Sequence, residues 1–151
     1  MQEQMAEFKI ASKGSSDYIM VKVLSRQYPG ATEYNDANWL CSEVKVVAGG
    51  FKANVSGYLV ADEFPPFRDG LEKLNKTLAG KVEYYTLEDW LSIKIEGDGK
   101  GHISLEAELL DKPGSDNRLT FSFELDQTFL PEIIRGLGQV ISQYPVCGSR
   151  L

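Results

Sequence analysis

One histidine and two cysteines are all that 151 residues offer for the chemistry those side chains perform. Cys41 and Cys147 belong to no CxxC pair and no Cys/His cluster, which excludes a disulfide framework and a structural zinc. No apolar run approaches the roughly 20 residues of a membrane span. The start, Met1-Gln2-Glu3-Gln4-Met5, has neither the basic nor the apolar region of a signal peptide, so a cytoplasmic setting is expected. Basic residues are also short: 16 Lys and Arg stand against 22 Asp and Glu, a net charge of −6. A field that attracts phosphate backbones or anionic lipid is therefore missing, and neither nucleic acid nor a membrane is an expected partner. With 42% hydrophobic and 25% charged residues, the chain reads as one domain over 1–151 with one core.

What is present is alternation with a period of two. Val44, Val46 and Ala48 alternate with polar residues, Gly49-Gly50 interrupts, and Phe51, Ala53, Val55 and Leu59 resume. Gly-Gly suits a two-residue turn, which pairs Ala48 with Phe51, Val46 with Ala53 and Val44 with Val55. A second hairpin spans Trp90 to Leu110. If Asp98-Gly99-Lys100 is its loop, Ile95 faces Ile103, Ile93 faces Leu105 and Leu91 faces Ala107. Turn formers at Asp111–Asn117 then lead to Leu119, Phe121, Phe123 and Leu125, which completes a meander. Val82 and Tyr84 mark a further strand before a Leu87-Glu88 turn. Phe8–Ser12 and Tyr18–Leu24 form an N-terminal hairpin around Gly14-Ser15-Ser16, and Tyr28–Asn38 reads as irregular.

Two segments change period. Phe67, Leu71, Leu74 and Leu78 recur at helical spacing with Gly80 placed to cap, and Leu130, Ile133, Ile134, Leu137, Val140, Ile141 and Tyr144 make a longer stripe that Pro145 stops. Asp62-Glu63-Phe64-Pro65 and Asp126–Pro131 open these helices, with Asp62 or Thr128 as candidate caps. The predicted strands are about 40–48, 51–60, 81–86, 90–96, 102–110 and 118–125, and the helices about 65–79 and 129–143. The class is α+β: mostly antiparallel sheet built from hairpins and a meander, with two amphipathic helices packed on it. Each half also holds a Trp-Leu pair, a hairpin and a proline-led helix, a hint of duplication.

Candidate chemistry is sparse. His102 alternates with Ile103 and faces outward, with no acid-base partner or nucleophile implied. Gly97-Asp98-Gly99-Lys100-Gly101 is followed by strand rather than by the helix that a phosphate loop opens, so it reads as a turn. Acidic pairs occur without the spacing of a calcium loop. No catalytic, cofactor-binding or metal-binding residues are assigned. The acids are nonetheless concentrated: residues 81–111 contain Glu83, Glu88, Asp89, Glu96, Asp98, Glu106, Glu108 and Asp111 against Lys81, Lys94 and Lys100. Such a patch suits a basic protein partner. Glu88, Asp89, Trp90, Glu96, Asp98, Glu106 and Glu108 are the candidate partner-binding residues, with Tyr34–Trp39 and the helix starts at Asp62 and Asp126 as alternatives. Trp90 and Trp39 are each read either as interface anchors or as residues covered by another layer.

Several segments resemble one family of small bacterial proteins. They are Tyr34-Asn35-Asp36-Ala37-Asn38-Trp39-Leu40, the Val44–Phe51 hairpin, Leu78-Ala79-Gly80, Asp89-Trp90-Leu91, Asp98–Ile103, Phe123–Pro131 and Tyr144-Pro145-Val146. Together they are similar to the WapI-type immunity proteins over roughly Asn35 to Gly148. Phe129 stands where the family pattern leads one to expect Tyr. The resemblance implies a non-enzymatic, cytoplasmic antitoxin that binds and blocks a cognate toxin domain of a polymorphic or contact-dependent toxin, with a nuclease as the candidate toxin from the name-giving system. No catalytic residue carries over. The competing expectation from the residues themselves is a small-ligand-binding module with a pocket lined by some of Phe51, Tyr58, Tyr84, Phe121 and Phe123. A third is a hydrolase using two buried carboxyls with shifted pKa values in one cleft.

Overall fold

Strict alternation folds as expected in the computed structural model, which describes residues 6–150. The strands are β1 (Ala6–Ala11), β2 (Tyr18–Arg26), β3 (Trp39–Ala48), β4 (Phe51–Val60), β5 (Ala79–Tyr85), β6 (Leu91–Asp98), β7 (Ile103–Leu110) and β8 (Arg118–Leu125). The helices are α1 (Tyr34–Ala37), α2 (Phe64–Thr77) and α3 (Leu130–Gln143), and single 3-10 turns at Ala61–Glu63 and Gln127–Phe129 lead into α2 and α3. The class is α+β. Met1–Met5, read above for a leader, lie outside the described residues.

The strands make two antiparallel four-stranded sheets, in the orders β1-β2-β3-β4 and β5-β6-β7-β8, each followed by a proline-led helix. The duplication hinted at in the sequence is thus a ββββα unit used twice. Its Trp-Leu marks are not equivalent, however: Trp39 opens the third strand of its sheet, whereas Trp90 precedes the second strand of the other.

In the first hairpin Ala48 pairs with Phe51, Val46 with Ala53 and Val44 with Val55, the register the Gly-Gly turn dictates. The second hairpin differs from its expected register by two residues: Ile95 faces Leu105, Ile93 faces Ala107 and Leu91 faces Leu109. The reason is the Asp98 carboxylate. One of its oxygens accepts the amides of Lys100 (2.7 Å) and His102 (3.1 Å), organising a longer loop than Asp98-Gly99-Lys100. A shift of two preserves which face each side chain takes, so the apolar face is unchanged.

Helix ends show where local rules yielded to packing. Leu78, not Gly80, caps α2, in a left-handed conformation (φ 58°), and its carbonyl accepts the amide of Gly99 at 2.7 Å. Gly97 makes room for that carbonyl, since a Cβ there would lie 2.4 Å from it. Neither Asp62 nor Thr128 caps an amide. Asp126 accepts from the amide of Thr128 (2.9 Å), while Glu63 reaches back to the amide of Val60 (2.9 Å). Within the stretch read as irregular, α1 forms one turn because Glu33 accepts the amides of Asn35 and Asp36.

The helices exchange sheets. Following the first sheet, α2 packs on β5 of the second, and following the second, α3 packs on β1 of the first, with α2 and α3 in contact. Gly70 admits Val82 at the first contact and Gly136 admits the Glu7 carbonyl and Phe8 at the other. Phe8 lies edge-on to Phe64 and Phe67, and Tyr84 stacks on Phe64. One core cluster therefore draws on both sheets and both helices. Burial of this apolar surface is the main force holding the two units together.

Candidate functional site

Side chains on the outward face of the second sheet fall into rows across the strands. The rows run Lys81, Glu96, Ser104, Glu124; then Glu83, Lys94, Glu106, Ser122; then Tyr85, Ser92, Glu108, Thr120. Every one of these is exposed or half-buried, while the intervening Val82, Ile93, Ile95, Leu105 and Phe123 are buried. Glu83, Glu96, Glu106, Glu108 and Glu124 thus share one open face with Lys81 and Lys94, and Arg118 at its rim approaches Glu108 at 3.5 Å. The corresponding face of the first sheet has the opposite balance. There Lys9, Lys22, Lys45 and Lys52 stand among Met20, Tyr18 and Val47, with Glu7 and Glu43 as the acids.

Of the candidate partner-binding residues, Glu96, Glu106 and Glu108 lie together on the acidic face. Glu88 and Asp89 occupy the turn before β6 and Asp98 is its last residue, so they mark opposite ends of that strand. Trp90 requires a correction. It is 1% exposed, because Asp89 takes a left-handed conformation (φ 56°) and the indole passes beneath the sheet onto β4. There its Nε1 donates to the Tyr58 carbonyl at 3.0 Å and its ring covers Gly57. Trp90 joins the two sheets and presents nothing to a partner.

A second surface assembles from segments that the sequence shows only separately. A groove of about 880 Å³ is lined by Glu33, Tyr34, Trp39, Asp62, Glu63, Tyr85, Leu87 and Arg150, among others. The Tyr34 hydroxyl donates to Asp62 Oδ2 at 2.8 Å, joining two of the alternative locations named above. Trp39 is half-buried and lies edge-on to Tyr58. Tyr85 and Leu87 are 56% and 68% exposed. Beside the groove, Asn38 is fully buried and clasps the C-terminal segment: its Nδ2 donates to the carbonyls of Tyr34 and Cys147, and its Oδ1 accepts the Cys147 amide. That latch gives the Asn38 side chain a structural role that only its distant partner Cys147 reveals.

Glu63 is the one carboxyl with a raised pKa among the described residues. Burial pushes it up to about 7, against the pull of three donors: the Val60 amide, the Tyr84 hydroxyl at 3.1 Å and the Leu87 amide at 2.8 Å. Both its oxygens are thereby committed, Oε1 to Val60 and Tyr84 and Oε2 to the β5–β6 turn at Leu87, and Asp62 beside it is half-buried and bonded to Tyr34. The two-acid cleft of a hydrolase is not assembled here. His102 does have a partner, contrary to expectation: its Nδ1 lies 2.7 Å from Asp98 Oδ2. The amide of Lys100 and the imidazole hold the Asp98 carboxyl down at about 2. Both side chains are exposed on the hairpin loop, and the pair organises the turn.

The residues proposed to line a ligand pocket disperse. Tyr84 packs against Phe64 and Phe67, Phe121 stacks on Phe123, and Phe51 and Tyr58 face solvent. No helix among the described residues is long and apolar enough to cross a membrane.

An acidic sheet face, an aromatic groove and one shared buried core define an α+β protein whose distinctive features are surfaces. The chain belongs to the WapI-like immunity protein family, whose pattern it matches over residues 9–145. No curated protein matches it. Among solved structures, one of Trypanosoma brucei MRP1/MRP2 is similar in fold: 15% identical, TM-score 0.50, covering 93% of this chain and 86% of that one. The likeness extends over both ββββα units.

Proposed function

We propose that this chain binds a cognate toxin domain in the cytoplasm and blocks it, and that the outward face of the second sheet makes the first contact. The observation that carries this is the segregation of charge. The acids Glu83, Glu96, Glu106, Glu108 and Glu124 share one sheet face, and the lysines Lys9, Lys22, Lys45 and Lys52 dominate the other. A basic protein surface, such as the substrate-binding side of a nuclease, is drawn to the first and repelled by the second. Glu88 and Asp89, in the turn before β6, and Asp98, its last residue, extend the same field. The family membership supports a role as antitoxin, and blocking by coverage needs no catalytic residue.

Reversing Glu88, Asp89, Glu96, Glu106 and Glu108 to Lys together tests the reading, because rim charges act weakly one at a time. With the fold verified by circular dichroism, the variant is expected to lose protection in cells expressing the toxin and to associate at least about tenfold more slowly at low salt. Unchanged protection with an unchanged association rate would place the interface elsewhere.

A further inference from the structure

The groove beside α1 contains a basic residue already seated on an aromatic ring. The Arg150 guanidinium lies 3.9 Å from the centre of the Tyr34 ring, delivered by a tail whose Ser149 bonds to Thr32 and Tyr34. The acids of the same groove differ in what they have left to give. Glu33 is committed to the amides of α1, and Glu63 to Val60, Tyr84 and Leu87. Asp62 receives only the Tyr34 hydroxyl, on Oδ2, leaving Oδ1 without a donor among the described residues. Aromatic faces at Tyr34, Trp39 and Tyr85 around one available carboxylate suit a planar cation. Arginine meets that demand better than lysine, since guanidinium stacks on a ring while bonding a carboxylate edge-on.

We propose that this groove is a receptor for an arginine side chain presented by a protein partner, and that Arg150 holds the place in the free chain. The partner's arginine competes with Arg150 for the Tyr34 ring and bonds Asp62. This contact adjoins the acidic sheet face at Tyr85, which belongs to both, and does not depend on the partner being a toxin domain.

The two tryptophans supply the test, because Trp39 lines the groove and Trp90 is buried. The probes are ten-residue Gly/Ser peptides with one central arginine, lysine or citrulline, titrated against the full chain while the two indole N–H resonances are followed. The arginine peptide is expected to shift the Trp39 resonance saturably and leave Trp90 unmoved, with the lysine peptide at least about fivefold weaker and citrulline inert. Asp62→Asn is expected to weaken the arginine peptide by about fivefold or more, as loss of a charge-assisted pair does. Arg150→Ala, which removes the competitor, is expected to tighten it several-fold. An unmoved Trp90 resonance in each variant verifies the fold. Equal responses to arginine and citrulline, no shift up to about 10 mM peptide, or weaker or unchanged binding by Arg150→Ala would each overturn the assignment.

Discussion

The indole of Trp90 rests directly on the backbone of Gly57, so closely that a Cβ at residue 57 would stand 2.5 Å from Trp90 Cζ2. This contact joins a turn of the second sheet to the edge strand of the first, with the Trp90 Nε1 bond to Tyr58 fixing the ring's orientation. Trp90→Ala is therefore expected to destabilise the fold by about 3–5 kcal/mol, the range for emptying a buried aromatic site. Gly57→Ala, which overpacks the same site, is expected to cost about 1–3 kcal/mol. Urea denaturation of Trp90→Ala, Gly57→Ala, Trp90→Phe and the Trp90→Phe/Gly57→Ala double variant checks this. The smaller ring of Trp90→Phe should relieve part of the Gly57→Ala penalty, giving a non-additive double variant.

The two glycines of α3 predict opposite signs. A Cβ at Gly136 would lie 2.8 Å from the Glu7 carbonyl, which the sheet cannot withdraw, so Gly136→Ala is expected to separate α3 from β1 and lower stability. At Gly138 the nearest atoms belong to the Arg68 guanidinium at 3.5 Å, an ordinary contact. There the helical preference for alanine prevails, and Gly138→Ala is expected to stabilise by about 0.5–1 kcal/mol. Thermal melting of both variants distinguishes them.

The pH dependence of stability has two windows of opposite slope. Glu63 is raised from 4.5 to about 7, so between these values the folded chain holds a proton the unfolded chain has released, and stability falls as pH rises. Asp98 is lowered to about 2, so between about 2 and 4 the unfolded chain binds the extra proton and stability rises with pH. Urea midpoints at pH 5 and pH 7.5 should fall with pH in the natural sequence, and the fall should shrink in Glu63→Gln, which cannot ionise. An identical slope in the two proteins would show that Glu63 is not the titrating group.

Although His102 pairs with Asp98, its exposed loop position brings it to no nucleophile. His102→Ala is expected to leave toxin protection unchanged while loosening the β6–β7 loop, visible as faster amide exchange at Lys100. Loss of protection in a folded His102→Ala protein would assign His102 a direct role in function.

Alternation marked most of the strands, with turn formers dividing them and placing the N-terminal hairpin, because a period of two leaves one face apolar wherever a strand is half-buried. Helical spacing likewise marked α2 and α3, and the charge count located the acids of residues 81–111. Those are local properties, readable within a few residues. The register of β6 with β7 escaped because the Asp98 carboxylate, rather than the turn sequence, sets that loop. Leu78 displaced Gly80 from the helix end because its carbonyl is needed by Gly99. Trp90, read either as an interface anchor or as a covered residue, went inward because its destination is Gly57, on a strand of the other unit. Only tertiary structure decided the exchange of helices between sheets, and only it brought Tyr34, Asp62, Tyr85 and Arg150 to one groove. Each lies in a segment whose local pattern is satisfied in many folds, and what unites them is bonding between distant segments: Asn38 holds the C-terminal segment beside α1, Tyr34 bonds Asp62, and Glu63 holds the turn after Tyr85.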